Sequence, residues 1–358
     1  MSLPPSPGRT TLRRTAAAVT AAGLALALAA CGSDDADASS SGGDEGHGEL
    51  NLQLSWIKNA EFAGEYMADS KGYYTDAGFS SVNLVAGPST GVAELVQGSA
   101  QVALSDAVSI GTAVANEDAP VKIIGTTYQK NPFTILSLAD GGDIATPQDM
   151  VGKKIGVQDS NTSLFKALLA ANGIDEGDVT IVPVQYDPSV LVNGEVDGFV
   201  AYLTNESITV AAQGKTVTNL PFADNGLPFV AETFTATDRT IAEDREMLKD
   251  FLVAEIKGWT DAIADPAAAI DLDLSDYGSD LGLVEENEVQ SAQIAADQLI
   301  TSSDTEADGL FTISDELQQE TLKSLAGAGI DVSAEDLFDL SLLDEVYEEN
   351  PDLVDYAG

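Results

Sequence analysis

The sequence predicts an α/β protein built as two lobes, and three observations carry that prediction. The chain has 358 residues, which is too many for one simple hydrophobic core and about right for two lobes. From residue 50 onward, short apolar runs alternate with amphipathic stretches, which is the pattern of strands and helices in turn. This alternation occurs twice, before and after residue 133. We therefore expect two doubly wound sheets.

The first pass of the pattern covers residues 50–132 and predicts four strands joined by three helices. The expected strands lie at residues 50–55, 81–86, 101–104 and 121–127, and the expected helices at residues 61–71, 91–97 and 107–116. Gly72 and Gly78 suit helix ends and turns, because glycine adopts the left-handed conformation there at little cost.

The second pass covers residues 133–228, and the chain after residue 230 is expected to be mainly helical. The expected strands lie at residues 134–139, 153–157, 178–184 and 196–202, with helices at residues 163–172, 188–193 and 205–213. Apolar residues at helical spacing then predict helices over 238–264, 285–300 and 314–326. Asp265-Pro266 should end the first of these, since proline disrupts a helix interior.

The N-terminus has the pattern of a bacterial export signal. Residues 1–30 hold a basic segment followed by an apolar run too short for a comfortable membrane span. Small residues then precede Cys31, in an arrangement that resembles a lipobox. That resemblance implies cleavage before Cys31, its lipidation, and anchoring at the outer face of the cell membrane. An ordinary signal peptide with an incidental cysteine is the alternative. Residues 31–49, which include His47, lack large apolar side chains and are expected to form a flexible tether.

Charge and residue usage exclude several classes of function. The formal net charge is −43, with 59 acidic and 16 basic residues, so nucleic acid and anionic lipid headgroups are excluded as electrostatic partners. Cys31 is the single cysteine and His47 the single histidine. With His47 assigned to the tether, Ser-His-Asp catalysis, Cys-His catalysis and zinc sites of cysteine and histidine are excluded from the folded body. We expect no cofactor and no metal.

Five segments carry a resemblance to a known family. They are WIKNAEFAGEYMADSKGYYTDAG at 56–78, ELVQGSAQVALSDA at 94–107, VGKKIGV at 151–157, NGEVDGFVAYLTNE at 193–206 and FLVAEIKGWTDAIADPAAA at 251–269. In this order they resemble the solute-binding proteins of ABC importers with the type II periplasmic-binding-protein fold. The group concerned is shared by thiamine-pyrimidine-precursor, riboflavin, sulfonate and nitrate binders and the fungal thiamine pyrimidine synthase.

The resemblance implies where the lobes meet and where a ligand lies. One lobe would comprise residues 50–132 and 229–358 and the other residues 133–228, with crossings near Asn131 and Phe229. The ligand would lie in the cleft between the lobes, at the carboxyl ends of the strands. Expected partners are a small heterocycle and a transporter permease, and the protein is expected to be a monomer.

The candidate binding residues combine flat faces with polar groups near strand ends. Trp56 and Phe62 are expected to stack on a ligand, and Asn59 and Glu206 to fix its orientation. Trp56, Asn59 and Glu206 are also the positions that the resemblance to pyrimidine-precursor binders carries over. The full expected set is Trp56, Asn59, Glu61, Phe62, Ser105, Asp106, Tyr128, Asp159, Tyr202, Asn205 and Glu206. For Asp106 and Asp159, helix capping is the alternative role.

Three ligand classes and two other classes of function remain open at this stage. Carboxylates facing a ligand favour an aminopyrimidine, a flavin would also satisfy them, and a sulfonate or nitrate would be repelled. A synthase is disfavoured because Phe62 stands six positions after Trp56, where that enzyme has its reacting histidine, and no second cysteine is present. The remaining alternatives are an enzyme that uses carboxylates for catalysis and a surface-anchored interaction protein. We expect a binding protein and not an enzyme.

Overall fold

A computed structural model describes residues 46–356 of the chain. The predicted export signal, the lipidation site Cys31 and residues 32–45 of the predicted tether lie outside the described residues. Residues 46–49 differ from the prediction, because they belong to the folded body. Gly48 pairs with Phe79 in a strand, and His47 Nε2 lies 2.6 Å from an Asp250 carboxylate oxygen. The prediction that His47 lies in a flexible tether is therefore wrong.

The described chain contains ten strands and fifteen α-helices, besides short 3₁₀ and π segments. The strands are β1 (Gly48–Gln53), β2 (Phe79–Val85), β3 (Val102–Asp106), β4 (Val121–Tyr128), β5 (Phe133–Leu138), β6 (Lys154–Gln158), β7 (Thr180–Val184), β8 (Gly198–Tyr202), β9 (Val217–Pro221) and β10 (Ala231–Thr237). The helices are α1 (Ala63–Ser70), α2 (Tyr73–Asp76), α3 (Val92–Gln97), α4 (Ala107–Glu117), α5 (Thr162–Ala171), α6 (Ser189–Val192), α7 (Glu206–Ala212), α8 (Asp238–Glu243), α9 (Arg245–Ala264), α10 (Pro266–Leu272), α11 (Glu285–Ala295), α12 (Ser303–Asp308), α13 (Asp315–Gly327), α14 (Ala334–Leu337) and α15 (Ser341–Glu349).

The strands form two sheets of five strands with the same internal order. The first sheet runs β2-β1-β3-β10-β4, and the second runs β7-β6-β8-β5-β9. In each sheet, one strand is antiparallel to its neighbours: β10 in the first and β5 in the second. Each of these strands follows a segment in which the chain passes from one sheet to the other, residues 129–132 and 222–230. The α/β class expected from the sequence is confirmed.

Two strands were missed by the sequence pattern, and one predicted helix is divided. Strand β9 was not anticipated, and β10 lies where the chain was expected to be mainly helical. Both depend on partners distant in sequence, because β9 pairs with β5 and β10 with β3 and β4. The helix predicted over 238–264 is interrupted at Asp244, which separates α8 from α9. The break predicted at Asp265-Pro266 is present, with Asp265 accepting a hydrogen bond from Ala268 N.

Helices α1 and α9 pack closely because glycines lie at their crossing. A Cβ atom at Gly64 would stand 2.3 Å from ring atoms of Trp259, and one at Gly258 would stand 2.3 Å from the Gly64 carbonyl oxygen. This close approach fixes α1 and the 3₁₀ turn Ala60–Phe62 that precedes it. Within residues 46–356, no helix is both long and apolar enough to span a membrane.

Candidate functional site

A cleft lies where residues from the two sheets face one another, at the ends of β1, β3, β6 and β8 and the starts of β5 and β10. It contains about 450 Å³ of atom-free space, part of which is open to solvent. The cleft is lined by Ser55, Trp56, Glu61, Ser89, Thr90, Ser105, Asp106, Ser109, Phe133, Ser160, Asn161, Val200, Ala201, Tyr202, Glu206 and Glu232. The carboxyl ends of parallel strands thus converge on one site, as open α/β sheets arrange it.

Glu61 has a buried carboxyl oxygen that no described residue hydrogen-bonds. It lies in the 3₁₀ turn before α1 and is 3% exposed. Its Oε1 accepts from the side-chain amides of Asn59 and Asn205, each at 3.3 Å. Within the described chain, Glu61 Oε2 is buried and has no hydrogen-bond partner. Burial, followed by repulsion from Glu232 and Glu206, raises the pKa of Glu61 well above its usual range.

Glu232 connects the two sheets across the cleft. Its Oε2 accepts from Ser55 Oγ at 2.8 Å, and its Oε1 accepts from the Tyr202 hydroxyl at 2.8 Å. Tyr202 ends β8 in the second sheet, whereas Glu232 lies in β10 of the first. Burial raises the pKa of Glu232 to about 7, against the lowering effect of these two hydroxyl donors.

Glu206 and Asp106 complete a set of four buried carboxyl groups. Glu206 begins α7, and its Oε2 accepts from the backbone N–H of Tyr202 at 2.9 Å. Burial raises the pKa of Glu206 to about 7. Asp106 caps α4 by accepting from Val108 N and Ser109 N, each at 2.9 Å, and also lines the cleft. Burial raises the pKa of Asp106 as well.

The charge of the cleft is unbalanced. Among residues 46–356, no lysine, arginine or histidine lines it, although four carboxyl groups do. Carboxylates this close disfavour one another's ionisation, and burial adds a desolvation cost. A ligand that donates hydrogen bonds or carries positive charge would stabilise the ionised forms. An anion would be repelled.

Aromatic rings and hydroxyl groups form much of the remaining wall. Trp56, Phe133 and Tyr202 line the cleft, and the rings of Phe133 and Tyr202 meet edge to face with centroids 4.6 Å apart. Ser105 is buried, and in the described residues its hydroxyl has no hydrogen-bond partner. The cleft therefore offers flat faces, free acceptors and an available hydroxyl, a combination suited to a flat polar molecule.

The structure places six of the eleven expected site residues on the cleft wall, namely Trp56, Glu61, Ser105, Asp106, Tyr202 and Glu206. Asn59 and Asn205 support Glu61 through their side-chain amides. Asn59 is buried, and its side-chain oxygen also accepts from Glu61 N at 3.1 Å. Both amides therefore act on a cleft residue and do not line the wall themselves.

Three expected residues are elsewhere, and their roles need correction. Phe62 is fully buried in the hydrophobic core and does not line the cleft. Tyr128 is also fully buried in the core at the end of β4. Asp159 is exposed and does not line the cleft; Ser160 and Asn161, which follow it, do. The alternative role of Asp159, capping of α5, is also wrong, since its side chain does not cap that helix.

Glu232 is the principal cleft residue that the sequence reasoning missed. It lies in AETFTAT, a segment with few large apolar residues that was assigned to the start of a helical region. A sequence signal was present, because Thr233 and Thr235 are β-branched and Phe234 is aromatic, as strands favour. The hydroxyl-bearing residues Ser55, Ser89 and Thr90 were also missed.

Two five-stranded sheets of the same strand order around a polar cleft define a protein with the type II periplasmic-binding-protein fold. The chain belongs to the NMT1/THI5-like family, whose model matches residues 59–269, more than half of the chain. Among solved structures, the periplasmic nitrate-binding protein NrtA from Synechocystis PCC 6803 superposes with a TM-score of 0.62 at 15% identity, covering 86% of this chain and 90% of that one. That likeness shows the fold.

Two curated relatives are named for small-molecule ligands. The riboflavin-binding protein RibY of Chloroflexus aurantiacus is 28% identical over 241 residues, which are 63% of this chain and 66% of that protein. This chain therefore covers just under two thirds of that relative. A formylaminopyrimidine-binding protein of Halalkalibacterium halodurans is 24% identical over 264 residues, which are 72% of this chain and 79% of that protein.

Proposed function

We propose that this chain is the extracytoplasmic solute-binding component of an ABC importer and that it captures a thiamine pyrimidine precursor, a hydroxymethyl- or formylaminopyrimidine. The observation that carries the ligand class is the free, buried Glu61 Oε2 beside Glu206 and Glu232, in a cleft wall without a cationic residue among those described. An aminopyrimidine presents N–H donors at its edge, and Trp56 supplies a face for its ring. The relative named for formylaminopyrimidine supports the same ligand.

Riboflavin is the second candidate, and two observations favour it. The relative named for riboflavin has the higher identity of the two. The cleft wall also carries the hydroxyl groups of Ser55, Ser89, Thr90, Ser105, Ser109 and Ser160, which suit a polyhydroxyl chain. Nitrate and sulfonate rank last, because the four carboxyl groups would repel an anion at short range.

Binding without turnover is the proposed activity. Ligand would stabilise a closed form in which both lobes contact it, and the transporter permease would recognise that form. Hydrogen bonds that already join the two sheets across the cleft, from Tyr202 to Glu232 and from Asn205 to Glu61, support such a closed form. The protein would act as a monomer, held at the outer face of the membrane by lipid on Cys31. Replacement of Cys31 by alanine should then release the protein from the membrane fraction.

Calorimetric titration of residues 32–358 tests the ligand. The panel contains hydroxymethyl- and formylaminopyrimidine, riboflavin, nitrate and an alkanesulfonate. Tight binding of an aminopyrimidine alone is expected. Tight binding of riboflavin alone would replace the first candidate by the second, and binding of only the anions would contradict the proposed site.

Tryptophan fluorescence tests whether the ligand lies at the proposed place. The chain has two tryptophans, Trp56 in the cleft wall and Trp259 at the crossing of α1 and α9. Ligand should change the emission of the wild-type protein and of a Trp259→Phe variant, but not that of a Trp56→Phe variant. An unchanged response after Trp56→Phe would place the ligand elsewhere.

A further inference from the structure

Glu232 has an unusual backbone conformation for a residue within a strand. Its φ is +48°, in the left-handed region that residues with a side chain rarely adopt. The strand register is irregular at the same point, between Ala231 and Thr233, as in a β-bulge. Bulges and strained residues cluster at functional sites, where they redirect a side chain. Here the redirected side chain is a carboxylate, 2% exposed, on the wall of the cleft.

The groups around Glu232 are acidic or hydroxylic on every side. Ser55, which follows β1, donates to it, and Asp106 of β3 repels it. From the second sheet, Tyr202 donates to it. The further groups that act electrostatically with Glu232 are Glu61 and Glu65 from the segment around α1 and Tyr128 from β4. Glu206 from α7 acts on Glu61. Among the described residues, no cationic side chain lines the cleft to offset this charge.

Resting on the function proposed above, we propose that Glu232, together with Glu61, makes the cleft selective for a ligand that binds as a flat organic cation, such as a protonated aminopyrimidine or another amidinium. Glu232 is then a specificity-determining residue. An amidinium supplies two N–H donors in one plane and a delocalised positive charge. Glu61 Oε2 is free to accept one N–H, and the charge offsets the repulsion among Glu61, Glu206 and Glu232. A carbonyl in place of the amino group would direct lone pairs at the carboxylates.

Matched pairs of ligands test this inference. The first pair is hydroxymethyl-aminopyrimidine and the pyrimidinone that carries oxygen in place of the amino group. The second pair is benzamidinium, a permanent cation near neutral pH, and benzamide, its neutral counterpart. Binding of each is measured by calorimetry at pH 7.5 to the wild-type protein, Glu232→Gln, Glu61→Gln and the surface control Glu195→Gln, an exposed position. Thermal melts confirm that each variant is folded.

The wild-type protein should prefer the cationic member of a pair by more than tenfold. Glu232→Gln and Glu61→Gln should each reduce that preference at least tenfold, and Glu195→Gln should leave it unchanged. Equal binding of the aminopyrimidine and the pyrimidinone would overturn the inference while the proposed function stands. Binding of benzamidinium but of neither pyrimidine would support the inference and overturn the proposed function. Failure of the wild-type protein to bind any of the four ligands would overturn both.

Discussion

A pair of buried carboxyl groups behind the cleft should make folding stability depend on pH. Glu65 in α1 and Glu255 in α9 are both fully buried. The Tyr74 hydroxyl donates to Glu255 Oε1, and burial raises the pKa of Glu255 from 4.5 to about 8. Burial, followed by repulsion from Glu255, raises the pKa of Glu65 well above its usual range. Within residues 46–356, neither oxygen of Glu65 has a hydrogen-bond partner.

The sign follows from proton binding. Because the folded state binds the proton of Glu255 more tightly than the unfolded state does, the stabilisation is complete below about pH 4.5 and is lost as pH rises through about 8. At about 1.4 kcal/mol for each pH unit, the rise in pKa corresponds to about 5 kcal/mol of unfolding free energy. Glutamine at position 255 keeps an oxygen to accept from Tyr74 and has no charge to bury. Glu255→Gln should therefore be near neutral at pH 5 and stabilising by several kcal/mol at pH 9.

Urea unfolding followed by circular dichroism, at unit steps from pH 5 to pH 9, measures this effect. Glu195→Gln is the matched control, since it removes the same charge from an exposed position. The wild-type protein and Glu195→Gln should lose stability in parallel as pH rises, and Glu255→Gln should lose less. Curves of the same slope for wild type and Glu255→Gln would refute the reasoning.

Three further outcomes are expected. Glu206→Gln should weaken aminopyrimidine binding about 10- to 100-fold in calorimetry, because a hydrogen bond to a charged group contributes about 1.5–3 kcal/mol. An unchanged dissociation constant would show that Glu206 does not contact the ligand. Gly64→Ala should lower the free energy of unfolding by about 1–3 kcal/mol, since its Cβ would meet the Trp259 ring. Gly177→Ala, with open space around the added Cβ, should change it by less than about 0.5 kcal/mol, and equal effects of the two alanines would contradict this packing. The affinity for benzamidinium should rise from pH 6 to pH 8, because Glu206 and Glu232 have pKa values of about 7 and ionise over that range. An affinity that does not change with pH would mean that neither carboxyl group faces the cation.

Local pattern was sufficient for the strands formed by short apolar runs between turn signals. Strands β1 to β4 each lie within two residues of the predicted bounds. The same is true of α3 and α4, which begin after Gly91 and Asp106, residues with evident turn or capping chemistry. Site residues at strand ends, such as Ser105 and Tyr202, were also predictable, since strand ends converge on a cleft in this class of fold.

Side-chain direction within a turn was not predictable. Glu61 and Phe62 are adjacent, yet one lines the cleft and the other is in the core. Their separation depends on the 3₁₀ turn Ala60–Phe62, which Asn59 caps and the close contact of α1 with α9 holds in place. A heptad or alternation pattern carries no information about a three-residue turn.

The sequence by itself determined the α/β class, the family and the acidic, aromatic character of the site, because these follow from local periodicity, motif order and composition. Only the tertiary structure decided that β10 inserts antiparallel between β3 and β4 and brings Glu232 to the cleft. The partners of that strand lie more than 100 residues away in the chain. The pairing of β10 can therefore not be predicted from a short window of sequence. The charge repulsion among Glu61, Glu206 and Glu232 cannot be predicted in that way either, because it arises only when the fold brings these three residues together.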